Sequence, residues 1–428
     1  MTDAATMRSA NDAARTVAAV WRMESAKIVA TLTRTVGDFP LAEDLAQEAF
    51  LDALRQWPSE GVPRNPAAWL TAVAKRKAID GWRRQERYDD RIAAIAHDRE
   101  REQADAVAAD PWDPDAIDDD VLRLIFISCH PVLSREARVA LTLRVVGGLA
   151  TEEIARAFVV PVATVQQRIV RAKKTLGAAK VPFEVPARAE YPERLGAVLG
   201  VLYLIFNEGH TASGGADWMR PELGLEAIRL ARVLTALVPR ERDAHSLLAL
   251  MELTAARFPA RVDAEGRPVL LADQDRTRWD RARITRGRAS LARADALGGR
   301  TAYGLQAAIA ECHAVGASVN DTDWDRIVML YEALGRIAPS PVVELNRAAA
   351  VAMATGPASA LRIVDRLAAS GALKGYHLLP ATRGELLLRL GREREGRDEF
   401  AVAARLAGND RERALLEAKA AGGQSSTF

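Results

Sequence analysis

Three short stretches hold side chains whose types and spacing suit work on a polyanion or on a protein partner. The first is Trp69-Leu70-Thr71-Ala72-Val73-Ala74-Lys75-Arg76-Lys77-Ala78-Ile79-Asp80-Gly81-Trp82-Arg83-Arg84. Read as a helix, it is amphipathic, with Lys75, Arg76, Lys77, Arg83 and Arg84 on a dense basic face and a tryptophan toward either end. Cations of this density neutralise phosphates, and a neighbouring ring can hold an unstacked base. The plainer alternative is a solvated basic face with its tryptophans in the core. The second stretch runs from Thr151 to Lys174. Thr151 reads as an N-cap, with Glu152 and Glu153 at the positive end of a short helix that buries Ile154, Ala155 and Phe158. Pro161 restarts the chain, and Val162, Val165, Ile169 and Ala172 form the inner stripe of a second helix. Its outer face carries Thr164, Gln167, Arg168 and Arg171: small hydrogen-bonding groups first and cations further along, as a helix entering a major groove requires. The third stretch, Leu41 to Phe50, is acidic. Leu41, Leu45 and Ala49 recur on neighbouring turns, while Glu43, Asp44, Gln47 and Glu48 form a polar face; Phe50 reads as core.

The remaining reactive side chains assemble no catalytic pattern. Glu208 with His210, Asp273 with Asp275, and Cys312 with His313 match no zinc or nucleophile template, and Asp273-Gln274-Asp275-Arg276 reads as capping and salt links. Cys129-His130 reads as core. Two isolated cysteines make no disulfide framework and fit a reducing compartment. The expectation is a protein that is not an enzyme, with no catalytic residue, no metal and no cofactor.

The elements that must position these stretches are helices. Apolar residues recur at three- and four-residue spacing throughout and alternating β-branched runs are nearly absent, so the fold class is all-α. The 428 residues call for several domains. The formal net charge is only +2, so any nucleic-acid contact must come from local patches. Four blocks separate: 14–87, with a Pro/Gly interruption at Pro58–Pro66; a polar linker, 88–120, containing Asp110-Pro111-Trp112-Asp113 and ending in an acidic run; 121–180; and, after a proline-bearing hinge, a helical region over 187–421. Within the last, Glu226–Arg232 with Asp243–Met251, Leu345–Ala354 before Thr355-Gly356-Pro357, and Glu385–Arg392 with Phe400–Ala404 each look like a helix pair. Gly356 and Gly391 stand about one tetratricopeptide period apart. The N-terminus lacks an apolar signal core, and the longest apolar run, Leu195–Phe206, falls short of the roughly 20 residues of a membrane span, which predicts a cytoplasmic protein without membrane contact.

The acidic Asp-Leu-x-Gln-Glu-x-Phe helix, followed by Trp-Leu and the basic Ala-Ile-Asp-x-x-Arg-Arg helix, resembles the sigma-2 domain of extracytoplasmic-function sigma factors. The Leu-x-x-x-x-Arg-x-Ala-Leu-Thr-Leu-Arg helix, the helix-turn-helix after it and the terminal Arg-Ala-Lys resemble their sigma-4 domain. Tyr203–His210, Leu271–Asp280 and Pro339–Arg347 resemble the subgroup that carries a C-terminal tetratricopeptide-like extension. The resemblance implies that Asp44, Gln47 and Glu48 meet the core RNA polymerase, and that Lys75, Arg76, Lys77, Arg83 and Arg84, with Asp80 nearby, face the −10 promoter element. It implies that Thr164, Gln167, Arg168 and Arg171 face the −35 element. Many relatives carry Asn where this chain has Arg76, which bears on −10 recognition in detail. The extension is then expected to regulate the sigma domains from within the chain, possible contact with them included. The competing expectation is a polymerase-independent helix-turn-helix regulator with a repeat sensor, which leaves the acidic and basic helices of the first block idle.

Overall fold

The computed structural model describes residues 17, 19–21, 24–93, 114–158, 160–179, 181–187, 189–211 and 218–422. Among these the regular structure is helical, apart from one isolated bridge between Val262 and Pro268. The chain divides into two compact units, Met1–Val201 and Leu202–Phe428.

The first unit contains α1 (24–36), α2 (Phe39–Glu60), α3 (Pro66–Ala93), α4 (Pro114–Ser128), α5 (Arg135–Val145), α6 (Thr151–Phe158), α7 (Val162–Ala178) and the start of α8 (Tyr191–His210). Asp38 caps α2, its carboxylate accepting the Leu41 N–H at 2.8 Å. The apolar stripe of α2, from Ala42 and Leu45 through Ala49 to Trp57, packs on Leu70, Ala74 and Ala78 of α3. Trp57 and Trp69 meet edge to face at 5.4 Å. Leu41, expected in this stripe, is 42% exposed, one position off the buried face.

The stretch predicted as linker is partly helical. α3 runs on to Ala93, and α4 begins at Pro114, so the acidic run forms its first turns; 94–113, including Asp110–Asp113, lie outside the described residues. Asp120 is fully buried because two cations enclose it: Arg34 of α1 and Arg123, both at 2.8 Å. Cys129, expected in the core, is buried beside Thr142 (3.3 Å), and burial pushes its thiol up to about 11.

In the helix-turn-helix, the turn after α5 places Gly148 at φ +69°, the left-handed region that favours glycine. The Gly147 N–H bonds back to the Thr142 carbonyl at 2.9 Å. The cap of α6 differs from expectation. Thr151 is already helical, and the Glu153 carboxylate reaches back to accept the Ala150 N–H at 2.8 Å, so Ala150 occupies the cap and a glutamate three residues on supplies the acceptor. α7 buries Val165, Ile169, Ala172 and Leu176; Val162, expected on this stripe, is 37% exposed in the first turn.

The second unit begins within α8, at Leu202. It continues through α9 (Pro221–Leu237), α10 (Arg242–Ala255), an irregular segment over 256–280, α11 (Arg281–Ala296), α12 (Ala302–Val315), α13 (Trp324–Ile337), α14 (Pro341–Ala354), α15 (Pro357–Ser370), α16 (Leu378–Arg389), α17 (Glu393–Leu406) and α18 (Asp410–Ala420). From α9 on, each helix packs on the next, as stacked repeats do. The three predicted pairs are α9 with α10, α14 with α15 and α16 with α17. Pro341 and Pro357 open α14 and α15 in the first helical turn, where the missing N–H costs nothing. Glu252 of α10, 1% exposed, is held by Arg232 of α9, Arg283 at 3.0 Å and Arg286 at 3.5 Å. No helix among the described residues is long and apolar enough to cross a membrane.

Candidate nucleic-acid interface

On the basic face of α3, Arg76, Asp80 and Arg83 are exposed, and Lys75 is half-buried. Lys77 points back at α2, where Asp52 (3.0 Å) and Glu48 (3.1 Å) hold it. Their hydrogen bonds raise its pKa, Asp52 first and against a loss from burial. A residue expected at DNA and one expected at the polymerase thus pair with each other. The side chains of Trp82 and Arg84 lie outside the described residues.

On α7, Gln167 and Arg171 are exposed and Thr164 and Arg168 half-buried, all on the side opposite Val165, Ile169 and Ala172. Helix geometry places these four on one outward strip. The strip matches what a reader of base edges needs.

The acidic face of α2 departs from expectation at one residue. Asp44 and Glu48 are exposed and Gln47 half-buried, but Glu43, read as part of the polar face, is 2% exposed. Its burial is compensated. Lys173 of α7 and Gln47 both bond its carboxylate, and Arg144 of α5 stands 3.7 Å away. Lys173 also reaches Asp44 at 2.9 Å. Burial would lower the Lys173 pKa, but the two carboxylates, Glu43 foremost, outweigh it and raise it. α2 and α7 are therefore in direct contact, with Pro40 against Gly177 at the next turn. Sequence reading missed Lys173, Arg144 and Glu43 as a group, because the partners stand 130 and 101 residues from Glu43 and no local pattern links them. Phe50, expected in the core, is half-buried and packs on Trp21 with ring centroids 4.8 Å apart.

The polar clusters of the second unit resolve into structural roles. Glu208 pairs with Arg220, and His210 with Arg261. Between them Gly209 lets α8 cross α9 backbone to backbone: a Cβ there would overlap the Gly224 nitrogen and meet the Arg220 carbonyl at 3.0 Å. Asp275 accepts from Thr277 N–H at 2.9 Å, and Gln274 donates to the Val269 carbonyl at 3.1 Å, which is the capping role expected. Among the described residues no group of three His, Cys, Asp or Glu side chains is placed to hold a metal.

Comparison with known proteins gives these surfaces a family. Residues 21–88 match sigma-70 region 2, and residues 123–176 match sigma-70 region 4. Residues 194–295 match a family of unknown function. An uncharacterized protein of Rhizobium meliloti is 43% identical over 389 residues, 90% of either chain. The RNA polymerase sigma-H factor of Pseudomonas aeruginosa is 32% identical over 160 residues, 36% of this chain and 81% of that one. A probable ECF RNA polymerase sigma factor of Mycobacterium tuberculosis, SigI, is 32% identical over 173 residues, 40% of this chain and 57% of SigI. No solved structure matches the chain.

An all-helical chain with an acidic helix, a basic helix and an outward-facing helix-turn-helix, matching both regions, belongs to the sigma-70 family. Within it, the chain is an extracytoplasmic-function sigma factor with a C-terminal helical extension, and it acts in transcription initiation. Membership implies binding of core RNA polymerase and of promoter DNA, and the family is not one of enzymes.

Proposed function

We propose that this sigma factor divides its work among the three surfaces expected from the sequence. Asp44, Gln47 and Glu48 of α2 dock on the core polymerase. Arg76, Arg83 and their basic neighbours Lys75, Lys77 and Arg84 face the −10 element. Thr164, Gln167, Arg168 and Arg171 read the −35 element. The protein works in the cytoplasm, and its extension regulates the sigma domains from within the same chain.

The contact of Lys173 with Glu43 and Asp44 carries this reading furthest. It joins the helix assigned to −35 reading to the helix assigned to polymerase docking. A polymerase that takes Asp44 must displace Lys173, and in doing so it frees α7 from α2. Docking and promoter reading then become one event, which suits a subunit that reads promoters only as part of the holoenzyme.

Promoter-dependent transcription with purified core polymerase tests the assignment. The full-length protein is expected to form a stable complex with core and to direct specific initiation, and Asp44→Lys to weaken that complex. Failure to bind core, or specific binding to closed duplex DNA without polymerase, overturns it.

A further inference from the structure

In the second unit, helices α12, α13, α14, α16, α17 and α18 and the irregular segment over 256–280 line a cavity of about 420 Å³. That lies within the roughly 300–1,000 Å³ range of small-molecule sites. Its walls are chiefly apolar, Leu270, Trp324, Met353, Leu386 and Phe400 among them. The irregular segment contributes Pro268 to Ala272 as one wall of a partly open chamber.

His313 and Tyr331 line one part of this chamber, and Arg257, which stands behind the lining, acts electrostatically on both. Arg257 lies over the Trp279 ring at 5.9 Å, and among the described residues its guanidinium has no hydrogen-bond or carboxylate partner. Arg276 lies over the same ring at 4.9 Å and spends its donors on neutral oxygens, the carbonyls of His313 (2.8 Å) and Gly316 (2.6 Å) and the Thr322 hydroxyl (3.1 Å). Arg261 lies over Trp218, another wall residue, at 5.8 Å and bonds His210 and Thr211. Among the described residues the one carboxylate acting on any of the three arginines is Asp321, at Arg276.

Buried cations ordinarily carry a matching acid; Glu252, in this same unit, takes three arginines. Here Arg261 and Arg276 are buried on neutral partners, and Arg257, half-buried, has none among the described residues. The His313 Nδ1 atom, at the chamber wall, is buried without a hydrogen-bond partner. Along the wall formed by α16 and α18, Lys419 pairs with Glu385 at 3.0 Å, Glu412 lies 3.0 Å from His377, and Arg389 bonds the Ala352 carbonyl at 3.2 Å and the Met353 sulfur. The chamber therefore offers an apolar body and, beside His313 and Tyr331, an arginine without an acid.

We propose that this chamber is a binding site for a small amphipathic carboxylate, with its anionic head at the Arg257–His313–Tyr331 end and its apolar body along the Leu270–Met353 wall. The anion supplies the charge that the arginine cluster lacks, and the apolar body covers surface that is otherwise in contact with water. Such a site lets the extension respond to a metabolite of that class. The assignment stands apart from the docking and promoter surfaces and does not depend on them.

Decanoate, decanol and decyltrimethylammonium, all at submillimolar concentration, distinguish the possibilities on the full-length protein. Calorimetry and tryptophan fluorescence give the readout, since Trp218 and Trp324 line the site. Decanoate is expected to bind saturably and the cation not at all, with decanol at least tenfold weaker than decanoate. Arg257→Met is expected to reduce decanoate affinity tenfold or more while leaving decanol binding unchanged. Ala349→Phe, at an exposed position on the chamber wall, is expected to abolish both without loss of fold. Equal binding of decanol and decanoate overturns the anionic head. Absence of binding by all three overturns the site, as does decanoate binding indifferent to Ala349→Phe.

Discussion

Lys173 Nζ of the helix-turn-helix lies 2.9 Å from Asp44 Oδ1 of α2 and bonds the buried carboxylate of Glu43 beside it. This is the ionic latch between the two sigma regions, and Arg34 on Asp120 at 2.8 Å is a second tie between α1 and α4. Replacing Lys173 with Met leaves Glu43 buried with Arg144 at 3.7 Å as its nearest remaining cation. The expected cost to the α2–α7 contact is about 1–3 kcal/mol, the usual penalty for an under-satisfied buried polar group. Because Asp44 is then free, affinity for core polymerase should rise, by up to roughly tenfold for each 1.4 kcal/mol of latch removed. Urea melts of the first unit and titration with labelled core polymerase check both. An unchanged core affinity means that the latch does not compete with docking.

Arg171 is exposed on the outward strip of α7, whereas Arg168 is half-buried. Arg171→Ala should weaken use of the −35 element by roughly 1–3 kcal/mol if the lost contact is to a base edge. A loss uniform across promoter sequences, with a shallower salt dependence, would make it a phosphate contact instead. Transcription from a set of −35 point variants at two salt concentrations separates the two.

The crossing of α8 over α9 is built on two glycines. Gly209→Ala drives a methyl into the Gly224 backbone, which has no flexible end to yield. The expected loss is at least about 1–3 kcal/mol, as for overpacked cores. Gly196→Ala on the same helix, with open space around its Cβ position, serves as the control and should be neutral or slightly stabilising. Thermal melts of the two variants compare them directly.

Acid should loosen the second unit. Burial, then Arg257 and Arg276, push the His313 imidazole down to about 3, against about 6.5 for an exposed histidine. Between those values the unfolded chain binds a proton that the native state refuses. Stability is therefore full above about pH 6.5 and falls as the pH drops toward 3, by up to about 1.4 kcal/mol per pH unit. Burial shifts His210 in the same direction. His313→Gln should remove one proton's worth of the slope. Denaturant melts at pH 7 and pH 5 measure it, and identical slopes in the two proteins would show that His313 does not titrate between the folded and unfolded states.

Periodicity alone determined the helical class, because a buried stripe at three- and four-residue spacing repeats within a dozen residues and leaves a local record. It also located the helix-turn-helix: Val165, Ile169 and Ala172 had to face in, so Gln167 and Arg171 had to face out. The turn glycine at Gly148 and the proline before α7 are equally local. Only the tertiary structure could decide what became of each charge. Glu43 sits among exposed acids in the sequence and is buried because Lys173 and Arg144 come to it from distant helices. Lys77 belongs to a basic run and turns inward because Asp52 and Glu48 face it across α2. Asp120 ends an apparent linker and is buried because Arg34 meets it. Arg257, one cation among 59 lysines and arginines, stands over Trp279 without an acid. Burial periodicity is a property of one helix, whereas ionic compensation joins groups brought close by folding, and the energy of a buried charge depends on that neighbour far more than on its place in the chain.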